Sequence, residues 1–274
     1  MKPPSILVTP PREASSRGDT GDRPARRSGA GGILGWTRFL ASALLCWPLT
    51  ASAQADPYFS QRHDMVDHQV RQRGIEQRGL LQAMENVPRH LFVPEVFQPE
   101  AYKDSPVEIA PGQTMSQAYV SALMISLLEL DGDEKVLEIG TGSGYDAALL
   151  SRMARRVYTI EIDRDLGRRA THTLGSLGFS NVRVRIRDGY RGWPEEAPFD
   201  AILVTAAPPR LPEPLIEQLK VGGKMVVPVG NLVQDLWVIT KNADGIERRR
   251  VSLVNFGPMT GEVEGKSPRD ERRR

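Results

Sequence analysis

The chain has 274 residues, enough for one sizeable α/β domain with additions, and its 36 Lys/Arg against 34 Asp/Glu give a formal net charge of +2. Residues 1–55 hold seven basic and three acidic residues, the last nine hold five and two, and the segment between stands at −5, the opposite of the bias a tight nucleic-acid binder needs. The single cysteine, Cys46, excludes a disulfide framework, and His63, His68, His90 and His172 lack ligand spacing, so no metal site is expected.

Residues 1–32 are rich in Pro, Arg, Ser and Gly without apolar periodicity, the composition of a disordered segment. Arg38, the apolar stretch Phe39–Trp47 and Leu49-Thr-Ala-Ser-Ala-Gln-Ala55 then have the layout of a secretory signal peptide, cleaved after Ala53 or Ala55. The apolar stretch is too short for a stable membrane span. From Asp56 the character changes. Met65–Ile75 and Leu80–Met84 have the apolar spacing of two short helices, broken at Gly74 and ended by Val87-Pro88. The predicted organisation is a domain over 56–265, made of a helical substrate-side extension (57–115) and a cofactor-binding sheet (116–265), followed by a basic tail (266–274).

Gly112 breaks any regular element in Pro111–Tyr119, after which Val120, Leu123, Met124, Leu127 and Leu128 mark an amphipathic helix. Ser116, just before that run, most simply caps the helix. The second reading, compatible with the first, has Thr114, Ser116 and Gln117 lining the mouth of a pocket.

Val136-Leu-Glu-Ile-Gly-Thr-Gly-Ser-Gly-Tyr145 is a short strand, three alternating glycines and the start of a helix with Ala147, Leu150 and Ala154 at helical spacing. Gly140, Gly142 and Gly144 can take positive φ and lack a Cβ, so the backbone around Thr141 can touch a ligand. The frame is G-x-G-x-G, not the dinucleotide G-x-G-x-x-G. Glu138, just ahead of it, opposes a pyrophosphate and suits a cation such as S-adenosylmethionine, which carries a sulfonium and an ammonium.

The second strand, Arg156–Asp163, places Glu161 21 residues after Gly140, where such folds set a carboxylate against the ribose hydroxyls. A third, Val182–Ile186, leads to Asp188-Gly189, suited to hold an adenine amino group, and a fourth, Phe199–Thr205, opens on the same edge. An acid at one strand end is most often a helix cap. Glu138, the glycine loop, Glu161 and Asp188, one per βα unit, agree on S-adenosylmethionine. A fifth strand, Lys224–Val229, precedes Leu236–Thr240 and Ile246–Phe256, which the turn Asn242-Ala-Asp-Gly245 predicts as an antiparallel edge hairpin. The expected architecture is α/β: a doubly wound, mostly parallel sheet with helices on both faces.

Met65-Val66, Arg73-Gly74-Ile75, Val87-Pro88-Arg89, Phe92-Val93-Pro94, Gly112-Gln-Thr-Met-Ser-Gln117, Val136–Tyr145, Pro198–Ala207, Leu211–Leu219 and Gly222–Gly230 together resemble the protein-L-isoaspartate O-methyltransferases, over about Met65 to Val263. The Gly112–Gln117 segment is the most diagnostic of these. The resemblance implies a Rossmann-like class I methyltransferase that repairs damaged proteins by methylating the free carboxylate of isoaspartyl residues. It implies Ser116 as the active-site residue, Thr114 and Gln117 against the substrate, and Glu138, Gly140, Thr141, Gly142, Glu161, Asp188 and Gly189 against S-adenosylmethionine. It also implies a cytoplasmic monomer, with export through the signal-like segment 33–55 as the alternative. Ala110, Met115 and Ala118 stand where that family usually has Gly, Ile and Pro. The competing readings are an NAD-dependent oxidoreductase, which the glycine frame disfavours, and a relative that binds peptide without turnover or methylates another carboxylate.

Overall fold

The computed structural model describes residues 56–264, so the expectations for residues 1–55 and the basic tail lie outside the described residues. The N-terminal segment is helical, but not as one regular helix. α1 (Phe59–Asp64) widens into a π turn over Met65–Val70, tightens to a 3-10 turn over Arg71–Arg73 and stops at Gly74, whose φ of +91° suits glycine. α2 (Arg78–Asn86) buries Leu80, Leu81, Ala83 and Met84 and ends before Pro88. Two strands that the sequence reading did not predict follow, β1 (Val107–Ala110) and β2 (Gln113–Met115), an antiparallel pair turning at Gly112. The helix expected from Val120 is α3 (Ala118–Ser126), and it is not amphipathic. Ala118, Ser121, Ala122, Met124 and Ile125 are buried and its other apolar residues half-buried, the pattern of a helix covered on all sides.

The rest alternates. β3 (Lys135–Ile139), α4 (Tyr145–Ser151), β4 (Arg156–Glu161), α5 (Arg164–Ser176), β5 (Val182–Ile186), β6 (Phe199–Val204), α6 (Glu213–Gln218) and β7 (Leu219–Val229) lead into the hairpin β8 (Gln234–Asn242) and β9 (Gly245–Val254). The seven-stranded sheet has the order β5-β4-β3-β6-β7-β8-β9, parallel from β5 to β7 and antiparallel across β7-β8 and β8-β9. The predicted doubly wound sheet with an antiparallel edge hairpin is the observed one. β7 begins earlier than predicted, because Gly222 takes φ +86° and the pairing with β6 shifts register, which keeps the Gly-Gly segment within the strand.

Strand periodicity divides the core. Leu137, Ile139, Tyr158 and Ile160 face the cluster of Trp193, Phe199 and Leu215, while Val136 and Val157 face the cluster built from the N-terminal segment, α3 and α4. The period of two sends Glu138 and Thr159 to that second side, and the β3-β4 register sets them opposite one another.

A buried amide closes the other face. Gln218 at the end of α6 accepts from Trp193 N at 2.7 Å and donates to Arg191 O at 2.8 Å and Pro214 O at 3.0 Å. Gln218→Leu keeps the volume but leaves the buried Trp193 N–H without an acceptor, so unfolding in urea should show a loss of about 1–3 kcal/mol. An unchanged midpoint would mean that the loop finds another acceptor.

Candidate active site at the strand ends

The parallel strands diverge in connection between β3 and β6, and the crevice outside their carboxyl ends is where an open α/β sheet binds ligands. A cavity of about 670 Å³ lies there, within the roughly 300–1,000 Å³ usual for small-molecule sites. Its floor is the glycine loop. Gly140, Gly142 and Gly144 have φ of +96°, +53° and +89°. The loop is clamped from both sides: Gly140 N and Thr141 N donate to Ile160 O, Gly142 N donates to Glu161 Oε2 at 2.7 Å, and Thr205 Oγ1 donates to Gly140 O at 2.7 Å. A Cβ on Gly140 would collide with that Thr205 hydroxyl.

Thr114, Ser116 and Gln117 line the cavity together with Gly140, Thr141, Gly142, Glu161 and Gly189. Residues 75 positions apart in the chain thus share one wall. Gly189 is required there, since a Cβ would sit 2.6 Å from Ile139 Cγ2. Ser116 does not cap α3. The N-cap position belongs to Gln117 and no side chain bonds the free N–H groups, which leaves the Ser116 hydroxyl to the cavity. Gln117 donates its amide to Asp104 Oδ1 at 2.5 Å, and Asp104 also pairs with Arg73.

The backbone at Ser116 is held from behind. Arg89, fully buried, donates Nη2 to Ser116 O at 2.6 Å and Nε to Ala101 O at 2.7 Å. Its guanidinium carbon lies 4.7 Å from the centre of the Tyr145 ring, and Tyr145 opens α4 directly after the glycine loop.

Two predicted residues lie outside the cavity wall. Glu138 is fully buried beneath the loop, where Thr159 Oγ1 donates to Oε2 at 2.5 Å, Thr141 Oγ1 lies 2.6 Å from Thr159 Oγ1, and Oε1 has no partner. Burial pushes its carboxyl well above the usual range, and Asp146 adds to the rise. Asp188 accepts from Tyr190 N at 2.9 Å and Glu262 N at 2.7 Å. It orders the backbone on either side of this end of the site.

Sequence reasoning missed three parts of the wall. Ile109 comes from the unpredicted β1 strand, and Asp146 from the first turn of α4. The third is the strap Leu253–Thr260. That strap is tied down by Ala207 N to Gly257 O and Met259 N to Ala207 O, both 2.8 Å, and by Gln234, whose amide bonds both N and O of Phe256. Its only sequence signal is Gly257-Pro258.

Among the lining residues the charged side chains are Asp146 and Glu161, and none is Lys, Arg or His. Such a wall opposes a pyrophosphate and suits a cation, so the residues fit S-adenosylmethionine. No group of three or more metal-ligating side chains occurs among the described residues.

Comparison with known proteins gives one consistent result. The family model described as protein-L-isoaspartate(D-aspartate) O-methyltransferase matches residues 60–264. A protein-L-isoaspartate O-methyltransferase 2 of Shewanella sediminis is 50% identical over 212 residues, 77% of this chain and 87% of that one. A protein-L-isoaspartate O-methyltransferase of Geobacter metallireducens is 52% identical over 202 residues, covering 73% and 94%. Among solved structures, a Plasmodium falciparum protein described as a protein-L-isoaspartate O-methyltransferase, in complex with S-adenosyl-L-homocysteine, is 26% identical with a TM-score of 0.64, covering 73% of this chain and 98% of that one.

Two outcomes are expected from this geometry. Because the Glu138 carboxyl is neutral over a raised range of pH in the free protein, a cationic ligand that favours its ionised form displaces a proton. Affinity for S-adenosylmethionine, followed by calorimetry, should therefore rise with pH through that range and flatten in Glu138→Gln. Arg89→Lys puts a compact ammonium where a planar fork serves two carbonyls. It should lower stability by about 1–3 kcal/mol and slow turnover more than it weakens cofactor binding, measured by thermal unfolding alongside the same titration.

Proposed function

This chain belongs to the protein-L-isoaspartate(D-aspartate) O-methyltransferase family, and from that premise we propose how its cavity works. The enzyme transfers a methyl group from S-adenosylmethionine to the free carboxylate of L-isoaspartyl residues in damaged proteins. The supporting observation is that the Ser116 loop and the glycine loop face one cavity whose charged lining is acidic.

The acceptor makes modest demands. A carboxylate with a pKa of about 4 is ionised at neutral pH, so no residue needs to remove a proton, and positioning is the main task. When bound, S-adenosylmethionine supplies a methyl that is already electrophilic and the positive charge that the wall lacks. Gly140, Thr141 and Gly142 would hold the cofactor through their backbone, Glu161 through its carboxylate and Gly189 by the space its missing side chain leaves. Glu138 acts from beneath the loop. Ser116 donates its hydroxyl to the substrate carboxylate, with Thr114 and Gln117 beside it. Asp104 orients Gln117, and Arg89 fixes the Ser116 backbone. Ala206 keeps the wall small at the end of β6. The product ester closes to a succinimide without the enzyme, and the ring reopens in part as normal aspartate.

The reaction needs a supply of S-adenosylmethionine, which supports a cytoplasmic enzyme; use of the signal-like segment 33–55 would instead export it. No helix among the described residues is long and apolar enough to cross a membrane. We take the working unit to be the monomer, with no nucleic-acid partner.

Labelled methyl transfer to an isoaspartyl peptide, set beside its aspartyl twin, tests the assignment. Wild type should modify only the isoaspartyl peptide, and Ser116→Ala should cut turnover by about 10²-fold, the scale of losing one donor aimed at a reacting group, while cofactor affinity holds. Transfer to neither peptide despite cofactor binding would leave a peptide-binding relative or another carboxylate substrate.

A further inference from the structure

The substrate of this cavity is a residue within a polypeptide, so chain must leave the mouth on both sides of it, and the rim must meet the neighbouring side chains. The rim is uneven. β7 ends at Val229 and β9 at Val254 on the same edge of the sheet as the cavity, and there the exposure of Leu232 is complete (102%), that of Val233 70% and that of Leu253 64%. Exposed aliphatic side chains grouped in this way mark contact surfaces.

Register gathers them. Gln234 pairs with Val254 and Asp235 with Leu253. Leu232 and Val233 lie in the bend directly before Gln234, so the chain places them next to the Gln234–Val254 pair, one residue beyond Leu253. Leu253 also lines the cavity itself, so the patch is continuous with the site. The charged side chain facing Leu253 is neutralised, because Asp235 Oδ1 accepts from Arg250 Nε at 2.8 Å and Nη2 at 2.6 Å. The turn before β8 is anchored by Gly230 N to Pro208 O at 3.0 Å, which holds the aliphatic pair at a fixed distance from the strap.

Resting on the reading above, we propose that Leu232, Val233 and Leu253 form a docking lip for an aliphatic side chain next to the isoaspartyl residue, and that this lip sets which damaged sites in a protein are methylated most readily. The occupant is the substrate polypeptide, because the lip runs into the cavity through Leu253 and ends against the paired Asp235 and Arg250.

The full chain is assayed with isoaspartyl hexapeptides that differ only at the flanking residues, Leu in one set and Asn in the other. Peptide binding is followed by fluorescence anisotropy as well as by methyl transfer. Leu flanks should raise kcat/KM by roughly tenfold, through KM, the range of apolar side-chain discrimination. Val233→Ser with Leu253→Ser should bring the two sets close to parity, the Leu set losing far more than the Asn set. Leu232→Ser alone, at a position with nothing packed on it, should take part of the preference without affecting folding. Equal use of both sets by wild type, or an equal loss for both in the variants, overturns the proposal. So does a preference that survives the double substitution, or a dimer in sedimentation that the substitutions dissolve, which would make the lip a contact between copies of the chain. If neither set is methylated but anisotropy ranks Leu above Asn and the double substitution removes the difference, the lip stands and the reaction assignment falls.

Discussion

Arg89 carries a positive charge into a place with no access to water and, among the described residues, no carboxylate within ion-pair distance. Burying an unpaired charge is costly unless its hydrogen-bonding groups are met. Here two backbone carbonyls and the face of Tyr145 meet most of the guanidinium. The interaction connects three separate stretches of chain. Arg89 comes from the N-terminal segment, Ser116 from the loop before α3, and Tyr145 from the helix that follows the glycines. A planar group with donors at fixed angles determines the relative position of the two loops that form the cavity, which a flexible single-point donor does not do.

The cavity's electrostatics follow the same economy of parts. Glu161 does double duty: it holds the glycine loop through Gly142 N and also forms part of the wall. Burial raises the Glu138 carboxyl well above the usual carboxylate range, and its Oε2 is tied through Thr159 to Thr141. The buried carboxyl is thus a latent charge beneath the floor, balanced when a cation lies above.

Most of the sheet was legible in the sequence because parallel strands buried on both faces are short apolar runs, and their ends are marked by glycines and acids. Glu161, Gly140 and Gly189 could be placed from spacing alone. Asp188, read from the same strand-end pattern, accepts from the backbone of Tyr190 and of Glu262, the second 74 positions away and beyond the reach of local pattern. Ser116 looked like a cap from local pattern; the decision that it is not one depends on the short β1-β2 pair and on Arg89, both tertiary facts. Strands of three and four residues carry too little periodicity to be seen, and the strap at 255–260 has neither helical nor strand pattern because its hydrogen bonds go to Ala207 and to the Gln234 side chain.

That strap bears on how the enzyme comes into being. The chain is made from its N-terminal end while a domain folds as a unit, and here the residues of the Ser116 loop, the glycine loop and Glu161 are all present by residue 161. The remaining wall arrives about a hundred residues later, when Gly257 and Met259 meet Ala207. A growing chain therefore carries the chemical groups of the site long before it can enclose a cofactor. Enclosure of the cofactor thus waits on the pairing of Gly257 and Met259 with Ala207.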